Sequence, residues 1–141
     1  MKKTLLYIAA SLTLLLTLGA CTRNHGDIGI WFGTWHVENI SGADSDAPDG
    51  DYFFQFQSKV FRVSCVGDHE EVIESYGTWD ESEDGNTLTI SFPDPTVHYV
   101  HMPGLETVNH FTITRKSSRE VTFTKTDMLG DNYTYHLKKQ P

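Results

Sequence analysis

The amino-acid sequence predicts an all-β protein, a small antiparallel up-and-down β-barrel of about eight strands. Three observations carry that expectation. From Ile28 onward apolar and polar residues alternate with a period of two, and no stretch of ten or more residues shows the 3.6-residue period of an amphipathic helix. Strand-like runs recur at short, regular spacing with turn residues between them. Only Pro93–Gly104 is long enough for the crossover that a sandwich requires. A meander that closes on itself, and so leaves no exposed sheet edge, is therefore favoured.

Residues 1–20 have the form of a secretory signal peptide. Lys2 and Lys3 are a basic start, Leu5 to Leu18 is apolar apart from Ser and Thr, and Gly19 and Ala20 are the small residues before a cleavage point. A spanning helix wants about 20 apolar residues, and this run is shorter and interrupted. Leu18-Gly19-Ala20-Cys21 resembles the lipobox of bacterial lipoproteins, in which the cysteine is acylated and becomes the mature N-terminus. That resemblance implies lipidation at Cys21, a lipidated tether over residues 21–27, and a membrane partner held through N-terminal acyl chains. The expected location is the cell envelope, as an outer-membrane lipoprotein on the periplasmic or surface face.

The domain of residues 28–141 follows. Ile28–Ile40 reads as the first strand, with Trp35 and Val37 on one face and Thr34, His36 and Glu38 on the other. A loop over Ser41–Gly50 carries Asp44, Asp46 and Asp49. Asp51–Gln57 places Tyr52, Phe54 and Phe56 on one face. Lys59–Val66 places Phe61, Val63 and Cys65 likewise; only Ser58 separates the two runs, which form either one bent strand or a tight hairpin. Glu71–Asp80 puts Ile73, Ser75, Gly77 and Trp79 together, and Thr87–Phe92 puts Leu88, Ile90 and Phe92 together. Thr96–Met102, between two proline stops, reads as an edge strand or part of a long loop. Thr107–Arg115 turns Phe111 and Ile113 inward, Glu120–Thr126 turns Val121 and Phe123 inward, and Tyr133–Lys138 does so with Tyr133, Tyr135 and Leu137. Glycines within strands, Gly33 and Gly77, are expected where a sheet coils sharply or another backbone comes close.

Loss of the leader takes Lys plus Arg from 11 to 9 against 19 Asp plus Glu, a net charge of −10. That acidity, with no basic patch, excludes nucleic acid as a partner, since phosphates need Lys and Arg. With Cys21 lipidated, Cys65 is alone and no internal disulfide forms, so the core must stabilise the domain. Cys65 lies among Phe61, Val63 and Val66 and reads as a small apolar filler; a reactive thiol needs an electropositive neighbourhood, for which only Arg62 is at hand.

Gly33-Thr34-Trp35, after a signal peptide, resembles the opening Gly-x-Trp of the lipocalins. Three further stretches resemble lipocalin-like lipoproteins of Bacteroidetes-type bacteria: the aromatic strand with Phe54 and Phe56, Tyr76-Gly77-Thr78-Trp79, and Gly85-Asn86-Thr87-Leu88-Thr89-Ile90. The resemblance implies a calycin-like barrel whose closed floor is built on Gly33 and Trp35. In lipocalins an arginine packs over that Trp; Arg115, Arg119 and Lys125 are the candidates for it. Thr126-Asp127-Met128 matches the lipocalin Thr-Asp-Tyr loop only in part. Thr22 to Asp27 lacks the acidic run associated with surface export in such bacteria, which favours the periplasmic face.

No chemistry of a catalytic kind stands out. The seven histidines show no zinc-type spacing, and His98 and His101, three apart on a strand, would face opposite ways. Asp80-Glu81-Ser82-Glu83-Asp84-Gly85 imitates the start of a calcium loop, but its twelfth position is Ser91 instead of Glu, and a hairpin turn on Asp84-Gly85 explains it. There is no nucleophile elbow and no glycine-rich phosphate loop. The expectation is a non-enzymatic protein without metal or cofactor. Its barrel interior, lined by Tyr52, Phe54, Phe56, Phe61, Trp79, Phe92, Phe111, Tyr133 and Tyr135, would hold a small apolar ligand. The alternative is a barrel filled by those same rings, acting as a structural module or through an envelope protein partner or protease.

Overall fold

The computed structural model describes residues 29–42, 50–93 and 100–141. The leader, the tether with Cys21, the acidic residues Asp44, Asp46 and Asp49, and His98 lie outside the described residues. Eight strands close into one barrel in chain order: β1 (Gly33–Gly42), β2 (Asp51–Gln57), β3 (Val60–Val66), β4 (Val72–Glu81), β5 (Thr87–Ser91), β6 (Val108–Lys116), β7 (Glu120–Thr126) and β8 (Asn132–Lys139). Each pairs antiparallel with its sequence neighbour, and β8 returns to β1 with Trp35 opposite Lys139. The all-β, up-and-down barrel expected from the two-residue period is what forms. Its inward set is continuous and apolar: Phe54, Phe56, Phe61, Val63, Leu88, Ile90, Phe111, Phe123 and Tyr135 are all fully buried.

Antiparallel succession gives the barrel two unlike ends. The closed end gathers the chain start, the turns after β2, β4 and β6, and the C-terminus. The mouth gathers the turns after β3 and β7 and the long connection between β5 and β6.

Three details differ from the period-based reading, and one alternative it left open is decided. The stretch before Gly33 is not strand: Gly29–Trp31 is a single 3₁₀ turn. Gly29 (φ +58°) and Gly33 (φ +112°) take backbone angles that other residues rarely adopt, and so break the extended run on either side of Trp31. Ser41 and Gly42 extend β1 instead of opening a loop. Of the two alternatives left open around Ser58, the tight hairpin is the one that forms, with Ser58 at φ +52° and Gln57 opposite Val60. Finally, Ile73 shares a register position with Cys65 but is 51% exposed, because β3 and β4 run past the rim. Alternation specifies a direction and not a depth.

Among the described residues, Val100–Met102 pairs with no strand, as a closed barrel has no edge to extend. Gly77 is needed for proximity: a Cβ there would lie 2.3 Å from the Ser91 carbonyl oxygen.

Candidate functional site: a plugged mouth above a tryptophan floor

The floor is built on two tryptophans. Trp35 is fully buried, as expected, and its indole Nε1 donates to the Trp31 carbonyl at 3.0 Å. Trp31 is equally buried and more central. Its ring lies 5.2 Å from Phe56, 5.8 Å from Phe123 and 6.1 Å from Trp35, and its Nε1 donates to Glu81 Oε2 at 2.8 Å. Reading Gly29–Trp31 as strand hid this residue.

The cation over Trp35 is Lys139, and not Arg115, Arg119 or Lys125. Its Nζ lies 5.3 Å from the Trp35 ring centre and donates to the Ile30 carbonyl at 2.8 Å, tying the last strand to the 3₁₀ turn. Lys116 does the same for Trp31, 5.5 Å from the ring while paired to Glu81. Such contacts contribute about 0.5–2 kcal/mol each, depending on how dry the site is. Gly33 serves the seal as well, since a Cβ would lie 3.3 Å from Lys139 Cε. Trp79 is half-buried beside Trp31, and its Nε1 has no partner among the described residues.

Above the floor the expected interior residues come together, but against one another. Phe54 meets Phe61 edge-on at 5.1 Å, Phe111 meets Phe123 at 5.2 Å and Tyr135 at 5.6 Å, and Phe92 meets Phe61 at 6.1 Å. These edge-on and offset geometries are the ones aromatic quadrupoles favour. This lower part of the barrel is packed core.

The mouth is different. It is filled by a segment of the β5–β6 connection, whose Val100 and Met102 are buried in the core cluster and whose Leu105 packs against it. Side chains of the wall hold this segment by its backbone. Tyr52 donates to the His101 carbonyl at 2.9 Å, Tyr135 donates to the Pro103 carbonyl at 2.7 Å, and Ser75 Oγ accepts from the Val100 N–H at 3.0 Å. Tyr133 stacks on Tyr135 at 6.3 Å. Burial, and then the nearby Tyr133, Asp127 and Glu106, push the Tyr135 phenol far above its ordinary value, so it remains a donor.

Lys125 completes the mouth. It continues the inward set of β7 after Val121 and Phe123, and its side chain is 1% exposed. Its Nζ donates to the Gly104 carbonyl at 2.5 Å, Glu106 Oε2 at 2.7 Å and Asn109 Oδ1 at 2.8 Å. Asn109 is held in turn: its Nδ2 donates to the Glu106 carbonyl at 2.7 Å, and its Oδ1 accepts from the Glu106 N–H at 2.8 Å. Extending the alternation Val121, Phe123 by one more step would have found Lys125.

Burial alone would raise the Glu106 carboxyl. Hydrogen bonds from Lys125 and the Met128 N–H, with the lysine charge, outweigh it and hold the group below its ordinary value. A carboxyl depressed in the folded state stabilises fully above its unfolded pKa of about 4.3, and that contribution is lost as pH falls through the folded value. Glu106→Gln is therefore expected to flatten the acid side of the stability curve, read as urea midpoints between about pH 6 and about pH 3. An unchanged curve would mean that Glu106 is not held.

Several other titratable groups have identifiable local surroundings. Cys65 is half-buried instead of fully buried. Its thiol is pushed up by burial first and by the charges of Glu71 and Asp51, against a lowering hydrogen bond from Tyr52, so its surroundings are acidic and disfavour the thiolate. His36 pairs with Asp51 at 3.3 Å, and the Nδ1 atoms of His110 and His136 lie 3.2 Å from Thr89 and Thr122. Asp84 accepts from Ser82 Oγ at 2.6 Å and the Asn86 N–H at 3.0 Å within its own turn. Among the described residues, no group of three or more His, Cys, Asp or Glu is placed to hold a metal ion.

A closed, up-and-down eight-stranded antiparallel barrel with a tryptophan floor and a cation over it has a lipocalin-like fold. Solved structures agree. A lipocalin-like protein from Bacteroides uniformis superposes with a TM-score of 0.62 at 17% identity, over 79% of this chain and 100% of that one. An uncharacterized protein from Bacteroides eggerthii does so at 0.60 and 15%, over 78% and 99%. A de novo designed fluorescence-activating β-barrel reaches 0.50 at 13%, over 82% and 98%. No protein-family model and no curated protein sequence matches this chain.

Proposed function

We propose that this protein is a lipid-anchored lipoprotein of the cell envelope whose barrel mouth binds a small apolar ligand without catalysis. The observation that carries the reading is the division of the interior. The lower part is filled by side chains of the wall, which cannot leave. The upper part is filled by a connecting segment, Val100–Leu105, which buries Val100 and Met102 and which Tyr52, Ser75, Lys125 and Tyr135 of the wall hold by its backbone. Space occupied by a displaceable segment is space that a ligand of similar polarity can take. Native mass spectrometry of protein purified from its host membrane should show a co-purifying small molecule. Consistent recovery of bare protein, together with failure to bind apolar probes in vitro, would overturn the reading.

The anchor rests on the leader and Cys21. Metabolic labelling with radioactive palmitate is expected to mark the wild-type protein and to be lost in Cys21→Ala; equal labelling of both would refute it.

A second reading, a filled barrel that acts through an envelope protein partner, draws on the rim. Met128 and Leu129 at the β7–β8 turn are 90% and 86% exposed, and Ile73 lies on the same end. Large apolar side chains at a turn tip are a usual element of a docking surface.

A further inference from the structure

Resting on the ligand-binding reading above, we propose that the ligand is an anionic amphiphile, an apolar chain ending in a carboxylate, with Lys125 as the group that recognises the head. The segment Val100–Glu106 is its built-in stand-in.

Lys125 is the starting point. Lysines ordinarily keep the ammonium in water while burying the stem, yet this one is 1% exposed inside the barrel. Removing an ammonium from water is costly unless it is fully paired. An apolar residue, like Val121 and Phe123 before it, would serve the barrel at that position without this cost. Lys125 is fully paired, and two of its three acceptors, the Gly104 carbonyl and the Glu106 carboxylate, belong to the plugging segment. The third, Asn109 Oδ1, belongs to the wall and would remain.

The polarity of the wall points the same way. Toward the plug it presents mainly donors: the Tyr52 and Tyr135 hydroxyls and the Lys125 ammonium. The plug answers with three backbone carbonyls and one carboxylate, and it carries buried apolar bulk at Val100 and Met102. Apolar bulk, then acceptors, then a carboxylate on an ammonium is the outline of a fatty-acid-like molecule. A cationic head would meet Lys125, and a neutral head would leave its charge without a counter-ion once Glu106 is displaced. Glu106 itself has a way out. Its side chain is 24% exposed, and its other oxygen already accepts from Met128 on the rim.

The test uses the barrel of residues 29–141, whose eight strands close on one another, with cis-parinaric acid and its methyl ester, titrated by fluorescence. Wild type is expected to bind the acid at least tenfold more tightly than the ester. Lys125→Met should abolish that preference while the ester still binds, and Lys125→Arg should restore it. Glu106→Gln, which removes the competing carboxylate, should tighten the acid about tenfold and the ester less, an estimate set by opening of the mouth. Near-ultraviolet circular dichroism reports whether Lys125→Met folds; if it does not, Glu106→Gln decides. Acid and ester binding equally in wild type, or Glu106→Gln leaving acid binding unchanged, would overturn carboxylate recognition and leave apolar binding standing. Failure of both probes to bind wild type and Glu106→Gln would instead remove the ligand-binding reading beneath it.

Discussion

Trp31→Ala is expected to cost about 3–5 kcal/mol of folding stability, as deletion of a large buried aromatic does when the site cannot collapse. The site here has little freedom to collapse. Trp31 is packed by Trp35, Phe56 and Phe123 from three directions. Its removal would also leave Glu81 without the indole donor and Lys116 without the ring beneath it. Trp35→Ala should be of similar size, since it takes away the indole that donates to Trp31 and the ring under Lys139. Lys139→Ala should cost much less, about 1 kcal/mol, because a half-solvated cation–π contact and one backbone hydrogen bond are all it loses. Urea unfolding followed by tryptophan fluorescence would rank the three. A Trp31→Ala loss below about 1 kcal/mol would show that the floor is not built on that ring.

The order of those effects bears on what the sequence reveals. Strand identity, meander topology and the inward aromatic set are all legible, because a two-residue period states which side chains share a face. Trp35 as floor is legible too, through its Gly-x-Trp context. Trp31 is not, because its role depends on two glycine backbone angles that interrupt the alternation instead of showing in it. Lys139 is missed for another reason. Arg115 and Arg119 have the residue type that the lipocalin pattern leads one to seek, but the cation is selected by closure, which sets β8 beside β1 with Lys139 opposite Trp35. Depth along the barrel is also invisible. Ile73 and Phe54 both occupy inward positions, yet one is over the rim and the other is core. Nor can a period of two describe a plug. Val100–Leu105 fills the mouth by burying Val100 and Met102 and by hydrogen bonds between its backbone and the wall, neither of which an alternation announces. Alternation thus names the inward-facing aromatics as a set, but it does not announce the segment that fills the mouth.

Gly104→Ala is expected to expel that plug, with the largest functional consequence of any single change considered. Gly104 has φ +77°, and a Cβ there would lie 2.2 Å from the Tyr135 hydroxyl and 2.7 Å from the Tyr133 ring. Both partners are buried, so the segment has to yield. As it moves, the Pro103 carbonyl leaves Tyr135 and the Gly104 carbonyl leaves Lys125. The stability cost should be about 1–3 kcal/mol, as for other overpacked sites. The tryptophan floor lies at the opposite end, so near-ultraviolet circular dichroism should keep its indole bands. Apparent affinity for a ligand equals the intrinsic affinity multiplied by the fraction of molecules with an open mouth. If the wild-type mouth is open in about 1% of molecules, a variant held open gains up to about 100-fold. Gly104→Ala is therefore expected to bind the neutral methyl ester probe at least tenfold more tightly than wild type while still unfolding cooperatively. A variant that loses its indole bands along with the plug would show that Val100–Leu105 is as much core as Phe54. The ligand would then have no place to enter, and the exposed rim at Ile73, Met128 and Leu129 would be the surface through which the protein acts.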